Sequence, residues 1–425
     1  MTMRVRASLM LMVAVAIMGL ASCDHYNCNT GATFGGSCTA SGSGLGTTGT
    51  GTGSSGNSGL ALVYYLSNNE VGSLELSTAD TFIDTPSFVM PQLPTGYIGS
   101  GIAIAQQQFV YVPYASSGGE ELFAWSIDSS TGALTALSGS PYAAPYVGGM
   151  VLSNYITTQV ITNPAGTLLF FADAEDDQID VFQIDPTTGL LTAAPGSPFS
   201  TGGVQPWNLS TDGLGNFLYV CEGNGFGEGV QMAVFTINSS TGALSVATTM
   251  AFDMWQVQGT PNGQFMIGVD GFTGQNGNAG DAADDNLYVF SIQPGGLLQQ
   301  VGKFATANGP TGVVIHPNGN FVYDFSIDEA TNSDAPLEGF ALSTTGGTPT
   351  LTPLAGSPFT SLSTTPADGY FDQSGAYLFV HTGSSIGVFN IDSSTGIPTE
   401  PLSPVGIGSG AVIYPWAVTD PLANP

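Results

Sequence analysis

The residues able to do chemistry are few, so each can be weighed in turn. There are three histidines, four cysteines, three basic residues and 32 acidic residues in 425. His25 lies near the N-terminus, His316 opens a Pro-Asn-Gly turn, and His381 follows the apolar run Leu378-Phe379-Val380. A histidine acts as a catalytic base only beside a carboxylate or nucleophile that fixes its tautomer. No sequence spacing supplies that partner to His381, which is the one catalytic candidate; a packing role is the competing reading. Cys221 sits inside Phe217-Leu-Tyr-Val-Cys221 and reads as a buried, inert side chain. No CxxC pair or Cys/His cluster has zinc spacing. Acidic stretches such as Asp173 to Asp177, Asp281, Asp284 and Asp285, and Asp328, Glu329 and Asp334 offer hard oxygens to calcium. They lack EF-hand spacing, and solvated loop charge is the alternative. Trp207, Trp255 and Trp416 are candidates for stacking on a sugar, against the plainer reading that they fill a core.

Charge excludes whole classes of partner. The basic residues are Arg4, Arg6 and Lys303, and the formal net charge is −29. Nucleic acid and anionic membrane surfaces both require clustered Lys and Arg, so neither is expected as a partner. A low-charge, Thr-rich exterior of this kind suits an acidic medium.

The first 22 residues read as an export signal. Arg4 and Arg6 form a positive start, and Leu9 to Leu20 is an apolar run too short to cross a bilayer. It ends in Leu20-Ala-Ser-Cys23, which resembles the lipobox of bacterial lipoproteins. That resemblance implies a lipidated Cys23, a membrane anchor and a cell-envelope location, periplasmic or at the cell surface. Ordinary secretory cleavage nearby is the alternative. Cys28 and Cys38 flank a short polar loop, where a local disulfide or two thiols are the options. Residues 23–59 end in a Gly/Ser/Thr linker, 39–59, whose coil would reach roughly 25 Å.

From Leu60 the chain repeats. An apolar strand recurs as Leu62-Val-Tyr64, Phe109-Val-Tyr111, Leu168-Leu-Phe170, Phe217-Leu-Tyr219, Phe265-Met-Ile267, Phe321-Val-Tyr323 and Tyr377-Leu-Phe379, 47 to 59 residues apart. That is the period of a propeller blade. A second strand of the form Val-Phe-x-Ile-Asp follows, then a Ser-Ser-Thr-Gly turn, as in Asp128 to Gly132 and Asp392 to Gly396. Asp or Asn starts such a turn on its own backbone, and Gly finishes it with positive φ. A strand before and a strand after complete a four-stranded meander, a–b–c–d. Tyr414 to Asp420 resembles strand a but has no strand b after it, while Leu62 to Tyr64 has no strand a before it. Pairing the two would close the ring. The expectation is an all-β, seven-bladed β-propeller over 60–420, closed by the C-terminal strand on the N-terminal blade, with 421–425 as a tail.

These blade motifs resemble the lactonase-type seven-bladed propellers with YVTN-like repeats, which include 6-phosphogluconolactonases. The resemblance implies sugar-lactone hydrolysis, without a required cofactor. The absence of arginine after residue 6 argues against an anionic substrate. The reading that follows is a monomeric binding or scaffold module taking a protein, glycan or small molecule on the b–c loop face. A lactone hydrolase is the alternative. The b–c loops vary most, from 10 to 23 residues between strand anchors, and variable loops on a rigid frame commonly carry function.

Overall fold

A computed structural model describes residues 59–419 apart from 68–69, 78–80, 85–97, 100, 117–118, 130, 144–158, 175, 224–230, 253, 271–284, 329–332, 346, 383–384 and 408–415. Cys23, Cys28, Cys38, Asp281 and Asp284 therefore lie outside the described residues.

The strands form small antiparallel sheets about a common centre. Sheet B runs from Ile98 to Ala143, C from Val160 to Ser200, D from Pro206 to Met250, E from Gln256 to Ala305, F from Gly309 to Pro353 and G from Asp368 to Gly406. Each is an a–b–c–d meander, with one short extra strand in C, F and G and two in B. Six blades are thus complete in one run of chain. The remaining sheet, A, is a composite: Gly59–Ser67, Glu70–Ser77 and Phe82–Asp84 come from the N-terminal side, and Trp416–Thr419 comes from the other end. Its terminal strand pairs Leu62 with Thr419 and Tyr65 with Trp416. The sequence leads to an expectation of seven blades; six are shown, because the strands expected to make the seventh come from both ends of the chain and not from one run.

The burial pattern follows from position in the blade. Strand b is flanked by strands on both edges and by neighbouring sheets on both faces, so Leu168–Asp173 is buried at every residue. That is why strand b reads as a continuous apolar run rather than as an alternation. Strand d lies at the outer rim, and in Leu244–Met250 only Leu244 is buried. The core is a series of seams, each filled from two adjacent sheets; Phe170 and Val181 of C meet Leu218 and Phe235 of D in one of them.

The repeated motifs are stitches across these seams. Tyr64 donates its hydroxyl to the Gly132 carbonyl of sheet B at 2.6 Å, and Tyr111 to Gly189 of sheet C at 2.7 Å. Tyr219 and Tyr323 do the same to Gly296 and Gly396 at 3.0 and 2.5 Å. The aromatic that opens strand b packs on the same glycine: a Cβ on Gly189 would lie 2.3 Å from Phe109, and one on Gly396 would lie 2.5 Å from Phe321. The turn glycine is needed both for its positive φ and for this close approach. The turn begins as the sequence indicates. The Asp185 carboxylate accepts from the Thr187 and Thr188 N–H groups, and Asp392 accepts from Ser394 and Thr395. Those bonds, led by the Ser394 hydroxyl, hold the Asp392 carboxyl down at about 2.

Inner strands are tied by glutamine. Gln256 and Gln258 of sheet E accept from the backbone N–H groups of Val313 and Ile315 in sheet F, at 2.8 and 2.9 Å. Gln159 accepts likewise from Leu209. These bonds satisfy inner-edge donors that would otherwise face the centre unpaired.

Candidate functional site

Strand direction sorts the residues. In every blade strand b runs toward the b–c connection, and strand a begins at that same end. The polar residues at the end of strand b gather there: Asp173 in C, Glu222 in D, Asp270 just past the strand in E, Asp324 and Ser326 in F, and His381 in G. The inner strands open beside them with Trp207, Trp255 and Asp368. This end of the propeller is rich in carboxyls and poor in cations.

Several of these carboxyls are buried in the seams. Asp180 is fully buried, and neither of its oxygens has a hydrogen-bond partner. Burial, then the charges of Asp173 and Asp176, pushes its carboxyl up to about 7. Asp173 is better provided for, accepting from the Asp176 N–H and from the Gln178 amide at 2.8 Å. Glu222 accepts from the Gln231 amide at 2.8 Å through one oxygen, while the other is buried without a partner. Burial raises its pKa, with Asp177 adding to the effect. In sheet F, Asp324 and Glu338 are direct cross-strand partners and both are buried. Such groups carry a proton more readily than exposed carboxyls, because ionisation in an apolar seam is costly.

His381 is buried, at 2 % exposure, and its backbone pairs with Asp368. Directly opposed residues of an antiparallel pair project to the same side, with Cβ atoms about 5 Å apart. The fold therefore supplies a carboxyl beside His381 that no sequence spacing could. Asp368 is half-buried, and desolvation raises it to about 7 against the opposing bond from the Gly369 N–H. Tyr370, two residues on, is exposed and is raised in pKa by the charge of Asp368 and by desolvation.

The tryptophans divide. Trp207 and Trp255 meet edge to face at 4.3 Å between ring centres, Trp207 half-buried against the D/E core and Trp255 against the E/F core. The Trp207 indole N–H is buried without an acceptor. Trp416 is placed by its backbone alone, in the terminal strand of sheet A. Lys303 is exposed on strand d of sheet E, with its ammonium 5.2 Å over the Tyr288 ring. Asp285 is half-buried with one oxygen unpartnered. Among the described residues no group of three His, Cys, Asp or Glu side chains could hold a metal ion. Cys221 is buried in the D/E seam. His316 is buried too, with Nδ1 accepting from the Asn318 N–H at 3.0 Å and its ring against Phe321 and Phe371, which is a turn-and-packing role.

Sequence reasoning missed Asp180, Glu222, Asp324, Glu338 and Asp368 as candidates. The signal was a carboxyl inside an otherwise apolar strand, as in Phe321-Val-Tyr-Asp324-Phe, rather than a motif.

The fold defines a β-propeller. No family profile matches the chain, and no curated protein matches it by sequence. Solved structures do match. A protein from Lactobacillus plantarum superposes with a TM-score of 0.60 at 16 % identity, over 85 % of this chain and 99 % of that one. A proposed 6-phosphogluconolactonase of Bacteroides uniformis gives 0.59 at 16 %, over 85 % and 99 %. The periplasmic gluconolactonase of Pseudomonas aeruginosa gives 0.56 at 13 %, again over 85 % and 99 %. The chain has the fold of the lactonase-like propellers.

Proposed function

We propose that the chain is an exported lipoprotein, anchored through Cys23, whose propeller binds a neutral or cationic ligand at the b–c end. The observation that carries this reading is the chemistry of that end. It carries half-buried Asp270 and Asp368, with Asp173, Glu222 and Asp324 buried behind them, while the one basic side chain after residue 6, Lys303, is engaged on Tyr288. An anion would meet like charge with no counter-charge to offset its desolvation. A cation, or a glycan whose hydroxyls donate to carboxylates, would not. The partner is then a glycan, small molecule or protein of that character, and calcium remains a further candidate ligand at Asp281, Asp284 and Asp285.

The same reading takes sheet A as a seventh blade closing the ring. It is supported by the pairing of Trp416–Thr419 with Gly59–Ser67, and by the position of that terminal strand between its neighbours. It touches the inner strand 368–371 of sheet G on one side and 103–105 of sheet B on the other. Closure of this kind leaves no seam open to water.

A second reading is favoured by one observation, the Asp368–His381 register. His381 would take a proton from water as it adds to a lactone carbonyl. The ring C–O bond would break and the alkoxide take up the proton, giving the hydroxy acid, with Asp368 orienting the imidazole. The similarity to a gluconolactonase favours a sugar lactone, and the missing arginines favour an unphosphorylated one. Calorimetric titration of the mature protein with oligosaccharides, spermidine and calcium tests the first reading. Hydrolysis of glucono-lactone tests the second. Binding without turnover is expected; turnover abolished in His381→Ala would replace the first reading by the second. Mass spectrometry of the native N-terminus tests the anchor, with acylated Cys23 expected and an unmodified Cys23 opposing it.

A further inference from the structure

The connection between sheets E and F is held by a carboxyl pair. Asp324 on strand b and Glu338 on strand c of sheet F are cross-strand partners, with exposures of 0 % and 3 %. Alternation puts both on the side of Val322 and Phe340, which packs against Ile267, Leu287 and Val289 of sheet E. Glu338 reaches out of its own sheet. Its two oxygens accept the Ala307 N–H at 2.9 and 3.0 Å, and one lies 3.4 Å from the Asn308 amide. Ala307 and Asn308 belong to the connection that carries the chain from E to F at the b–c end. Asp324 is held through one oxygen by the Ser326 hydroxyl at 2.7 Å, and its other oxygen is buried without a partner.

The groups that face this pair are all acidic or neutral. Sheet E contributes Asp285, whose charge bears on Glu338. Sheet F contributes Asp328, on the same side of strand b by alternation. Asp334 pairs with Ile327 and so projects to the other side. Lys303 lies over Tyr288, which packs into the opposite seam, between D and E. Among the described residues no cation reaches the pair, so two charges in this seam would stand uncompensated.

We propose that Asp324 and Glu338 form a proton-dependent latch on the E-to-F connection, closed in acid and released in alkali. With one proton between them, Asp324 is neutral and Glu338 keeps the charge that grips the Ala307 N–H. When that proton leaves, repulsion across the strand pair displaces Glu338, and the Ala307 N–H loses its acceptor. Burial raises both carboxyls above their ordinary values, with the charge of Glu338 adding to the effect at Asp324 and that of Asp285 at Glu338. The folded state holds the shared proton more tightly than the unfolded chain, so the singly protonated, closed form is lost as pH rises through the raised value.

Amide exchange of the full chain, corrected for intrinsic rates, tests this at Ala307 between pH 5 and pH 9. Protection should fall about tenfold or more over that range, the change expected for at least one pH unit of linked titration. In Asp324→Asn, which stays neutral at every pH, the fall should disappear, while in Glu338→Gln Ala307 should be poorly protected throughout. Constant protection in the wild-type protein would overturn the latch, whether or not either variant folds. So would an undiminished fall in Asp324→Asn.

Discussion

Gly189→Ala is the substitution that reads the seam stitches most directly. Gly189 has φ +70°, and a Cβ there would lie 2.3 Å from Phe109 Cδ1 and 2.6 Å from its Cε1. Those atoms belong to a ring that is 4 % exposed, so it has no free space to turn into. Two costs add. Placing an L-residue in the left-handed region costs about 1–2 kcal/mol, and forcing a methyl into a filled core costs about 1–3 kcal/mol more. The Tyr111 bond to the Gly189 carbonyl would stretch as the turn moves, adding to the loss. A total of about 4 kcal/mol against a melting entropy of about 0.75 kcal/mol/K, for a folded unit of about 360 residues, lowers Tm by about 5 °C. Gly347 is the control: its φ is +85° and nothing lies within 4 Å of its Cβ position, so Gly347→Ala meets the conformational cost alone. Scanning calorimetry should give a drop for Gly189→Ala at least twice that for Gly347→Ala. Equal drops would refute the claim that the turn glycines are packing surfaces for the preceding blade.

Further outcomes follow from the same contacts. Tyr111→Phe removes the hydroxyl but keeps the ring, and should cost about 1–2 kcal/mol in denaturant unfolding, most of it from the orphaned Gly189 carbonyl. Asp180 is raised to about 7 by burial, so its proton stabilises the fold fully below about pH 4 and that contribution is lost as pH rises through 7. Asp180→Asn should therefore flatten the decline of Tm between pH 5 and pH 8, the integrated effect being about 4 kcal/mol at most; a profile parallel to wild type would contradict it. Trp207→Phe should alter ligand-induced changes in tryptophan emission if an oligosaccharide binds at the D/E inner strands, and leave them unchanged if it binds elsewhere.

Most of the architecture was legible because a propeller repeats its instructions. Strand b opens with a run of apolar residues, strand c alternates, and the Asx turn and glycine recur, so each blade confirms the others. The Ser of the recurring Gly-Ser-Pro closes the ladder beyond strand c: Ser197 Oγ accepts from the Val181 N–H at 2.8 Å, and Ser357 Oγ from the Gly339 N–H at 2.9 Å. The role of the strand b tyrosines was hidden for another reason. Their partner glycines lie 68 to 78 residues away, in the next sheet, and a local pattern carries no information about that distance. The candidate site was harder still. His381 and Asp368 are 13 positions apart across an a–b hairpin, and only the register places them opposite each other. Asp180 and Asp324 looked like ordinary strand residues, since burial between two sheets cannot be read from one sheet's alternation. The acidic loop at 271–284 lies outside the described residues, and its calcium candidates rest on composition alone.

Strands from the two ends of the chain, Gly59–Ser67 and Trp416–Thr419, share one sheet. The test is a pair of truncations of the full protein compared by calorimetry, one ending at Thr419 and one ending at Pro415. The first keeps the strand that pairs with Leu62 to Tyr65, and its Tm should stay within about 2 °C of the full chain. The second uncovers the edge of Gly59–Ser67 and, under the proposed closure, opens the ring; its Tm should then fall by about 10 °C or more, with loss of a single cooperative transition. Identical melting of the two truncations would show that the terminal strand holds nothing together, and the closed propeller would have to be abandoned.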